Sequence, residues 1–338
     1  MNEAALGAPL KRATPIRKPA GLFASMPGVY AAVILAAVLA SYGYWTRTRT
    51  LFACPADGYS ADRYIAYCDA GNYADYEHGA FWFDLEPSAW GFARNADVLF
   101  LGNSRLQVGF STAATADWFS RAAAKYYLLG FSYYENALFA EALLSRMRPD
   151  GAKVLVINVD DFFDLSETEP VKAIWGDPQA ENRYEWKRFW QSVHKRVCKP
   201  FRRLCGSHVE TYRSRETGAY DMRTPRDVKP VSYDESVDRS VVDADTAAAI
   251  DFLKRFAQGK CVILTMVPSV NTKIGKANAI AKDLGARLVT PGLLEGLKTK
   301  DGYHLDQPSA ERWSEAFFQA AGPEIRSCLE KHGGASRS

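Results

Sequence analysis

A serine near the start of the chain's α/β pattern and a histidine near its end have the surroundings that nucleophilic catalysis needs. Ser104 follows a Gly-Asn pair at the end of an apolar run, residues 97–101, which is typical of a buried strand that breaks into a tight turn. His304 follows Asp301 by three positions, in a loop ahead of a helical pattern. A histidine can take the proton of a serine hydroxyl while an aspartate stabilises the imidazolium, which is the chemistry of acyl transfer.

Each of these signals also has a structural interpretation. Ser104 would serve as a helix N-cap, and an isolated histidine is usually structural or exposed. The two signals reinforce each other because both residues follow predicted strands, and ligands bind at the carboxyl ends of strands in open α/β sheets. The histidine also follows the last predicted strand. Asp306 is a second possible orienter for His304, but the spacing favours Asp301.

Apolar runs alternate with helical patterns over most of the chain. Strands are predicted at 97–101, 126–129, 153–159, 261–267 and 287–289. Helices are predicted at 115–125, 134–147, 243–256, 274–284 and 308–320. This alternation predicts right-handed βαβ units and a parallel sheet of about five strands. The uninterrupted Val-Leu-Val-Ile within 153–159 is typical of a strand that is covered on both faces.

The motifs resemble those of the SGNH (GDSL-like) hydrolase superfamily, over residues 97–318. The branch they resemble most is the membrane-anchored one of alginate and exopolysaccharide O-acetylation proteins. Gly-Asn-Ser104-Arg resembles the nucleophile block, and Asp301-x-x-His304 the block that supplies the base and its orienter. Leu-Gly130-Phe-Ser resembles the glycine block. The resemblance implies a flavodoxin-like three-layer α/β/α domain with a triad of Ser104, His304 and Asp301. It also implies that the backbone N–H groups of Ser104 and Gly130 donate to the oxyanion.

The third block of the family departs from its usual pattern here. The chain reads Asn158-Val-Asp160-Asp where the family has Gly-x-Asn-Asp, so Asp160 stands in the place of the asparagine. An ionised aspartate cannot donate a hydrogen bond to an oxyanion. We expect Asn158 and Asp160 at the oxyanion or substrate region. Arg105 is expected there too, either to position a substrate carboxylate or to pair with Asp160.

The amino-terminal part of the chain predicts one membrane span. Residues 1–27 are interpreted as a cytoplasmic basic tail, and residues 28–46 as a transmembrane helix of about the length that crosses a ~30 Å hydrocarbon core. Aromatic residues lie at the far end of the span, as in an interfacial belt. A cleaved signal peptide and a buried core helix are the alternatives. The basic residues that precede the span favour a single-pass protein of the bacterial inner membrane with its domain in the periplasm.

The remaining chain divides into further segments. Residues 47–95 form a membrane-proximal segment, 96–325 the SGNH-like domain with an insertion at about 161–242, and 326–338 a tail. The dense aromatic residues of 47–95 would pack this segment onto the domain or form a lid or glycan-stacking surface. The insertion carries a basic run with interleaved aromatic residues. That composition suits a membrane-surface or anionic-glycan contact, or an amphipathic helix with its aromatic residues turned inward.

Composition narrows the range of partners. The chain has 338 residues and a formal net charge of +3, which is too small to indicate nucleic acid. Cys54 with Cys68, and Cys198 with Cys205, are close enough in sequence for local disulfides in an exported domain. Paired Cys-x-x-Cys and histidine motifs are missing from the sequence, so we predict no structural zinc and no cofactor.

Two functions of different kinds follow from these observations. The first is an O-acetyltransferase or acetylesterase that acts on exported polysaccharide. A multi-span membrane acyltransferase would then be a possible partner that supplies the acyl group. The second is a catalytically inactive SGNH-like protein that binds glycan or recruits such a membrane partner.

Overall fold

The computed structural model describes residues 27–70, 73–149, 151–222, 227–291 and 294–334. Apart from residue 27, the predicted basic tail lies outside the described residues. The chain forms two compact units, Met1–Trp45 and Thr46–Ser338, which we treat separately.

Helix α1, Pro27–Arg49, contains the whole of the predicted span. It is the one helix of the described residues that is long and apolar enough to cross a membrane. None of its residues is buried within the protein. The interpretation as a buried core helix is therefore wrong. The remaining interpretations of α1 are a membrane anchor and a signal sequence.

The second unit contains two main sheets and the helices that cover them. Its strands are β1 Arg63–Cys68, β2 Ala74–Asp75, β3 Val98–Asn103, β4 Tyr126–Phe131, β5 Val154–Asn158, β6 Glu210–Ser214, β7 Tyr220–Met222, β8 Lys229–Pro230, β9 Cys261–Thr265, β10 Leu288–Val289 and β11 Lys298–Thr299. Its helices are α2 Glu77–Trp82, α3 Pro87–Arg94, α4 Ser104–Phe110, α5 Ala113–Ala122, α6 Ala137–Met147, α7 Glu169–Trp175, α8 Ala180–Cys198, α9 Arg239–Phe256, α10 Ile274–Leu284 and α11 Gln307–Gly334.

The larger sheet is parallel, with the strand order β10-β9-β5-β3-β4. The predicted parallel sheet of about five strands is thus confirmed in the described part of the chain. All residues of β3 are buried, and they alternate between two apolar clusters. Leu99 and Leu101 belong to one cluster, and Val98 and Phe100 to the other, because successive side chains of a strand point to opposite faces. Helices therefore cover both faces of the sheet.

The smaller sheet is antiparallel, with the order β2-β1-β6-β7. Strands β1 and β2 come from the membrane-proximal segment, whereas β6 and β7 come from the insertion, in which the sequence showed no regular pattern. The two segments therefore build one element together. Two local disulfides, Cys54–Cys68 and Cys198–Cys205, are present as predicted. A third, Cys261–Cys328, joins β9 to α11.

Several predicted boundaries differ from the structure. Helix α11 continues through Gly334, so the tail predicted from residue 326 begins inside a helix. Helix α6 begins at Ala137 rather than at residue 134, because the Asn136 side chain caps it by accepting from Leu138 N–H. Most of the aromatic side chains of 47–95 are buried or partly buried, including Tyr73, Tyr76 and Phe81, which places them in the packing of this segment.

A buried ion pair connects the two sheets. Arg213 on β6 lies 2.8 Å from Glu77 on α2, and neither side chain is exposed. The same guanidinium donates to the carbonyl of Leu128 on β4 at 2.7 Å. Glu77 also accepts from Tyr220 OH at 2.6 Å and from Ser132 N–H at 2.9 Å. Buried charges are tolerated only when they are paired and hydrogen-bonded, so this network holds the smaller sheet against β4.

A second buried charge cluster lies on the same helix. His78 has no exposed surface, and its ring nitrogens lie 2.8 Å from Asp75 Oδ1 and 3.0 Å from Glu135 Oε2. Burial lowers the pKa of His78, but the charge and hydrogen bond of Asp75, together with Glu135, raise it to about 10. The folded chain therefore holds this imidazole as a cation at neutral pH.

We expect this imidazolium to make folding stability depend on alkaline pH. Between the ordinary histidine pKa of 6.5 and about 10, the folded chain binds a proton that the unfolded chain has lost. Stability from this group is complete below pH 6.5 and decreases by about 1.4 kcal/mol per pH unit above it. Urea unfolding at pH 7 and pH 9 should show a loss of about 2–3 kcal/mol in wild type that is missing in His78→Gln.

The exposed His208 provides the matched control for this measurement. His208→Gln should lose as much stability between the two pH values as wild type does. An equal loss in His78→Gln would show that His78 is not the titrating group.

Candidate active site

Ser104, His304 and Asp301 form one hydrogen-bonded chain at the carboxyl end of the parallel sheet. The His304 Nε2 atom lies 2.8 Å from Ser104 Oγ, and its Nδ1 atom lies 2.6 Å from Asp301 Oδ2. Serine and histidine are 200 positions apart in sequence. The arrangement leaves Nε2 free to accept the serine proton when Nδ1 carries the hydrogen that Asp301 accepts.

The turn from β3 into α4 positions the serine. Asn103, and not Ser104, is the N-cap of α4, because its side-chain oxygen accepts from Arg105 N–H at 2.9 Å. Ser104 is the first helical residue, so its own N–H has no carbonyl partner within the helix. Gly102 packs so closely that an added Cβ would lie 3.0 Å from both Asn158 and Leu106. The glycine is therefore required where the strand passes under the turn.

A short loop after β11 positions the histidine and its orienter. Backbone hydrogen bonds of 2.8 and 2.9 Å, from Lys300 N to His304 O and from Asp306 N to Lys298 O, close this loop. Asp301 Oδ1 accepts from His304 N–H at 2.8 Å, so both oxygens of the carboxylate are engaged. Partial burial raises the pKa of Asp301, but the hydrogen bond and charge of His304 outweigh it and hold this pKa well below its usual range. Asp301 is therefore ionised at neutral pH.

The alternative orienter lies elsewhere. Asp306 Oδ1 accepts from Ser309 N–H at 2.9 Å, at the start of α11. Its side chain therefore supports the helix that follows the loop, while Asp301 holds the histidine ring.

The triad opens into a cleft with a volume of about 250 Å³. Ser104 and His304 form its floor together with Arg105. Its walls are largely aromatic and include Tyr67, Tyr133, Tyr134, Tyr220, Met222 and Tyr303. This volume is below the ~300–1,000 Å³ that is typical of sites for drug-sized ligands, so the cleft favours a small reacting group.

Two consecutive tyrosines line the cleft in a strained backbone conformation. Tyr133 and Tyr134 have φ angles of 60° and 56°, in the left-handed region. Bulky residues there cost about 1–3 kcal/mol each and concentrate at functional sites. The Tyr134 ring lies 5.9 Å from that of Tyr303, and the Arg105 guanidinium lies over both rings at 6.0 and 5.7 Å. Arg105, Tyr134 and Tyr303 therefore form a cluster next to the triad.

Arg105 pairs with Asp160, which is one of the two roles that the sequence left open for it. The guanidinium contacts Asp160 Oδ2, and Asn103 Nδ2 lies 3.3 Å from the same oxygen. Burial raises the pKa of Asp160, although the Arg105 charge opposes this. Asp160 therefore orients Arg105 and Asn103 beside the nucleophile, rather than facing the reacting carbonyl as a donor.

Gly130 and Asn158 are not placed as the family resemblance implied. Strand β4 extends through Gly130, whose N–H donates to Gln107 Oε1 at 3.4 Å instead of facing the serine. Asn158 is fully buried at the end of β5, and its Oδ1 accepts from Val267 N–H at 2.8 Å. The oxyanion or substrate roles of both residues stay predictions, although in this conformation these groups have partners within the protein. Both residues lie near the carboxyl ends of their strands, β4 and β5.

Sequence reasoning missed Gln107, a buried residue that spans the site. Its Nε2 donates to Gly218 O at 2.9 Å, while its Oε1 accepts from Gly130 N–H. Gln107 lies one helical turn beyond Ser104, and that i, i+3 spacing was the available signal. Gly218 lies in the insertion, so its proximity could not be read from the local pattern.

The residues most able to hold a metal ion have other partners. His194 lies near Cys198 and Cys205, but these cysteines form a disulfide. The cluster of Asp75, Glu77 and His78 is committed to the ion pairs described above. Neither group of described residues has the deprotonated, unengaged ligands that a metal requires.

Comparison of the chain with family models, with curated proteins and with solved structures gave no match. The geometry of the site is therefore the basis for inferring the function.

Proposed function

We propose that this protein is an SGNH-type serine enzyme that transfers or hydrolyses a small acyl ester, with acetyl groups of an exported polysaccharide as the intended substrate. The observation that carries the proposal is the hydrogen-bonded chain from Ser104 Oγ through His304 to Asp301. The site lies at the carboxyl end of a parallel sheet with helices on both faces, where ligands bind in α/β proteins.

The reaction would proceed through a covalent ester of Ser104. His304 Nε2 takes the hydroxyl proton as Oγ attacks the acyl carbonyl, and Asp301 stabilises the imidazolium. The imidazolium then gives this proton to the leaving oxygen, and the acyl group stays on Ser104. A sugar hydroxyl or water next attacks the ester, gives its proton to Nε2, and releases the serine to be reprotonated.

The oxyanion would be stabilised by donors other than those of the usual third block. The Ser104 N–H is available at the first position of α4, and Arg105 lines the same cleft with its charge oriented by Asp160. Donors of this kind act most strongly when they are held in place before the reaction begins. Arg105, which is held by its contact with Asp160, meets that condition.

A location at a membrane in an oxidising compartment is part of this proposal. Helix α1 suits an inner-membrane anchor, and all six cysteines form disulfides, which persist in compartments such as the periplasm. The domain would then act on substrates outside the cytoplasm of a bacterial cell. A multi-span membrane acyltransferase could supply the acyl donor there.

One observation favours a second function, an inactive protein that binds glycan or recruits such a membrane partner. Gly130 N–H is engaged by Gln107, and Asp160 stands where the resembled family has a donor. If the oxyanion is left without sufficient donors, the triad would be retained without turnover. The aromatic cleft would then serve binding alone.

An acyl-enzyme experiment separates the two functions. The full chain in detergent micelles is incubated with an activated acetyl ester, with and without an oligosaccharide acceptor, and examined by intact-mass spectrometry. We expect an acetyl adduct on Ser104 that the acceptor discharges, with acetylated sugar indicating transfer and free acetate indicating hydrolysis. A folded sample with intact disulfides that forms no adduct would instead support the binding function.

A further inference from the structure

Helix α8 has an apolar face that the rest of the protein does not cover. Its inward face carries Tyr184, Gln191, His194 and Cys198, all of which are buried. A second apolar stripe is spaced three or four residues apart and consists of Trp186, Phe189, Trp190, Val193 and Val197. Trp186 is 58% exposed and Phe189 50% exposed. The interpretation in which this helix turns its aromatic residues inward therefore holds for Tyr184 but not for Trp186 and Phe189.

Three rings form one cluster, which we call the α8 patch and define as Trp186, Phe189 and Trp190; the last of these is partly buried and also packs against the core. Trp186 stacks on Phe189 at 5.2 Å and meets Trp190 at 5.5 Å. Just beyond the helix, Phe201 and Leu204 are 62% and 58% exposed in a turn that the Cys198–Cys205 disulfide closes. Clustered exposed apolar side chains such as Trp186 and Phe189 are typical of an interaction site.

The same segment concentrates positive charge. Residues 187–203 contain seven basic and no acidic residues, although the whole chain carries a formal charge of only +3. Five of the seven are exposed, namely Arg188, Arg196, Lys199, Arg202 and Arg203. Aromatic residues flanked by lysine and arginine on one helix are typical of helices that lie in the interface of an anionic membrane.

The α8 patch also contacts a residue that follows the candidate membrane helix closely in sequence. Phe52 follows the last residue of α1 by three positions, and its ring lies 6.4 Å from that of Trp190 and 5.8 Å from that of His194. Three residues of chain span at most roughly 10 Å. If α1 crosses a bilayer, the edge of the α8 patch is therefore held close to the bilayer surface by the chain itself.

We propose that the α8 patch and the basic residues around it bind the surface of an anionic phospholipid bilayer, as a second membrane contact besides α1. Trp186, Phe189 and Trp190 would enter the headgroup region, where aromatic side chains are enriched. The arginine and lysine side chains would attract anionic lipid headgroups. This contact does not depend on the acyl chemistry, so it stands or falls separately from the proposed function.

A release experiment on the full chain tests the proposal. A protease site is inserted between Arg49 and Thr50, and the chain is reconstituted in vesicles of phosphatidylcholine, with or without phosphatidylglycerol. After cleavage, the folded body should stay on the anionic vesicles and leave the zwitterionic ones. Each basic residue near the surface contributes roughly fivefold to this partition. Arg188→Glu with Lys199→Glu should therefore lower retention by at least about tenfold, as should Trp186→Ser with Phe189→Ser.

Matched variants separate the patch from general effects of charge and hydrophobicity. Val241→Ser with Ile250→Ser removes exposed apolar side chains from α9, and Arg121→Glu with Lys254→Glu reverses exposed charges elsewhere. Both should leave retention unchanged, and thermal unfolding should confirm that every variant is folded. Equal release of wild type from both kinds of vesicle would overturn the proposal. Retention that needs native membranes and fails with pure lipid would also overturn it, because a membrane protein would then be the partner.

Discussion

Ser104→Ala should abolish formation of the acyl-enzyme, and His304→Ala should slow acylation by an activated ester by at least roughly 10³-fold. In the proposed mechanism Ser104 Oγ forms the ester, and His304 Nε2, which lies 2.8 Å away, removes its proton. The acylation rate that remains in His304→Ala would come from hydrogen bonds to the oxyanion and from substrate binding alone. Burst kinetics with an activated acetyl ester measure these rates directly.

Asp301→Asn provides a graded test of the same chain of contacts. Asparagine keeps the size of the side chain but cannot stabilise the imidazolium with a full charge. We expect a loss of about 10⁴-fold in turnover, of the order seen when a triad aspartate is replaced in this way. Asp306→Asn is the matched control and should retain nearly full activity, because that carboxylate contacts Ser309 N–H instead of the histidine ring.

Two further controls identify the nucleophile and the base. Ser132 lines the same cleft, and His208 is an exposed histidine, so Ser132→Ala and His208→Ala should both acylate at close to the wild-type rate. An adduct that persists at full rate in Ser104→Ala would assign the reaction to another residue. It would remove the basis of the proposed function.

Arg213→Met should reduce the free energy of unfolding by about 3–5 kcal/mol, because it leaves the Glu77 carboxylate buried without its partner. Both side chains are fully buried, and the guanidinium also donates to Leu128 O and lies 4.7 Å from the rings of Phe81 and Phe131. No water can replace these contacts at a site without exposed surface. Chemical denaturation of the full chain in micelles, with the disulfides intact, measures the effect.

A double-mutant cycle separates the ion pair from loss of packing. Glu77→Leu with Arg213→Met removes both charges, and we expect it to lose less stability than the sum of the two single variants. Arg239 is the control on the surface, since it pairs with Asp243 and Asp283 while remaining exposed. Arg239→Met should cost no more than about 1 kcal/mol. A similarly small cost for Arg213→Met would show that the network does not hold the sheets together.

The parallel sheet was predictable because its signals are local. Apolar runs such as Val154–Asn158 alternate with helical patterns, and this order alone implies parallel strands joined by helices. The two short disulfides were predictable for the same reason, since each joins cysteines only 14 and 7 positions apart. By contrast, the Cys261–Cys328 bridge spans 67 positions and depends on how α11 packs against β9.

The side chains of the candidate triad could be predicted from the sequence, but the contacts of the residues around them could not. Ser104, Asp301 and His304 were recognisable because strand-end and loop motifs carry their own local spacing. The hydrogen bond from Gly130 N–H to Gln107 could not be predicted, because it depends on how far β4 extends beside α4. Nor could local sequence show that Tyr133 and Tyr134 would adopt left-handed backbone conformations next to Arg105.

The sequence by itself determined the apolar helix α1, the alternating α/β order and the three side chains of the candidate triad. Each of these depends on residues that are close together along the chain. Only the tertiary structure decided that residues 47–95 and the insertion form one sheet, that Glu77 and Arg213 meet across 136 positions, and that α8 exposes its aromatic stripe. Contacts between distant segments decide which strands pair in the antiparallel sheet, which buried charges pair and which face of a helix is covered. Sequence periodicity does not indicate which segments come into contact.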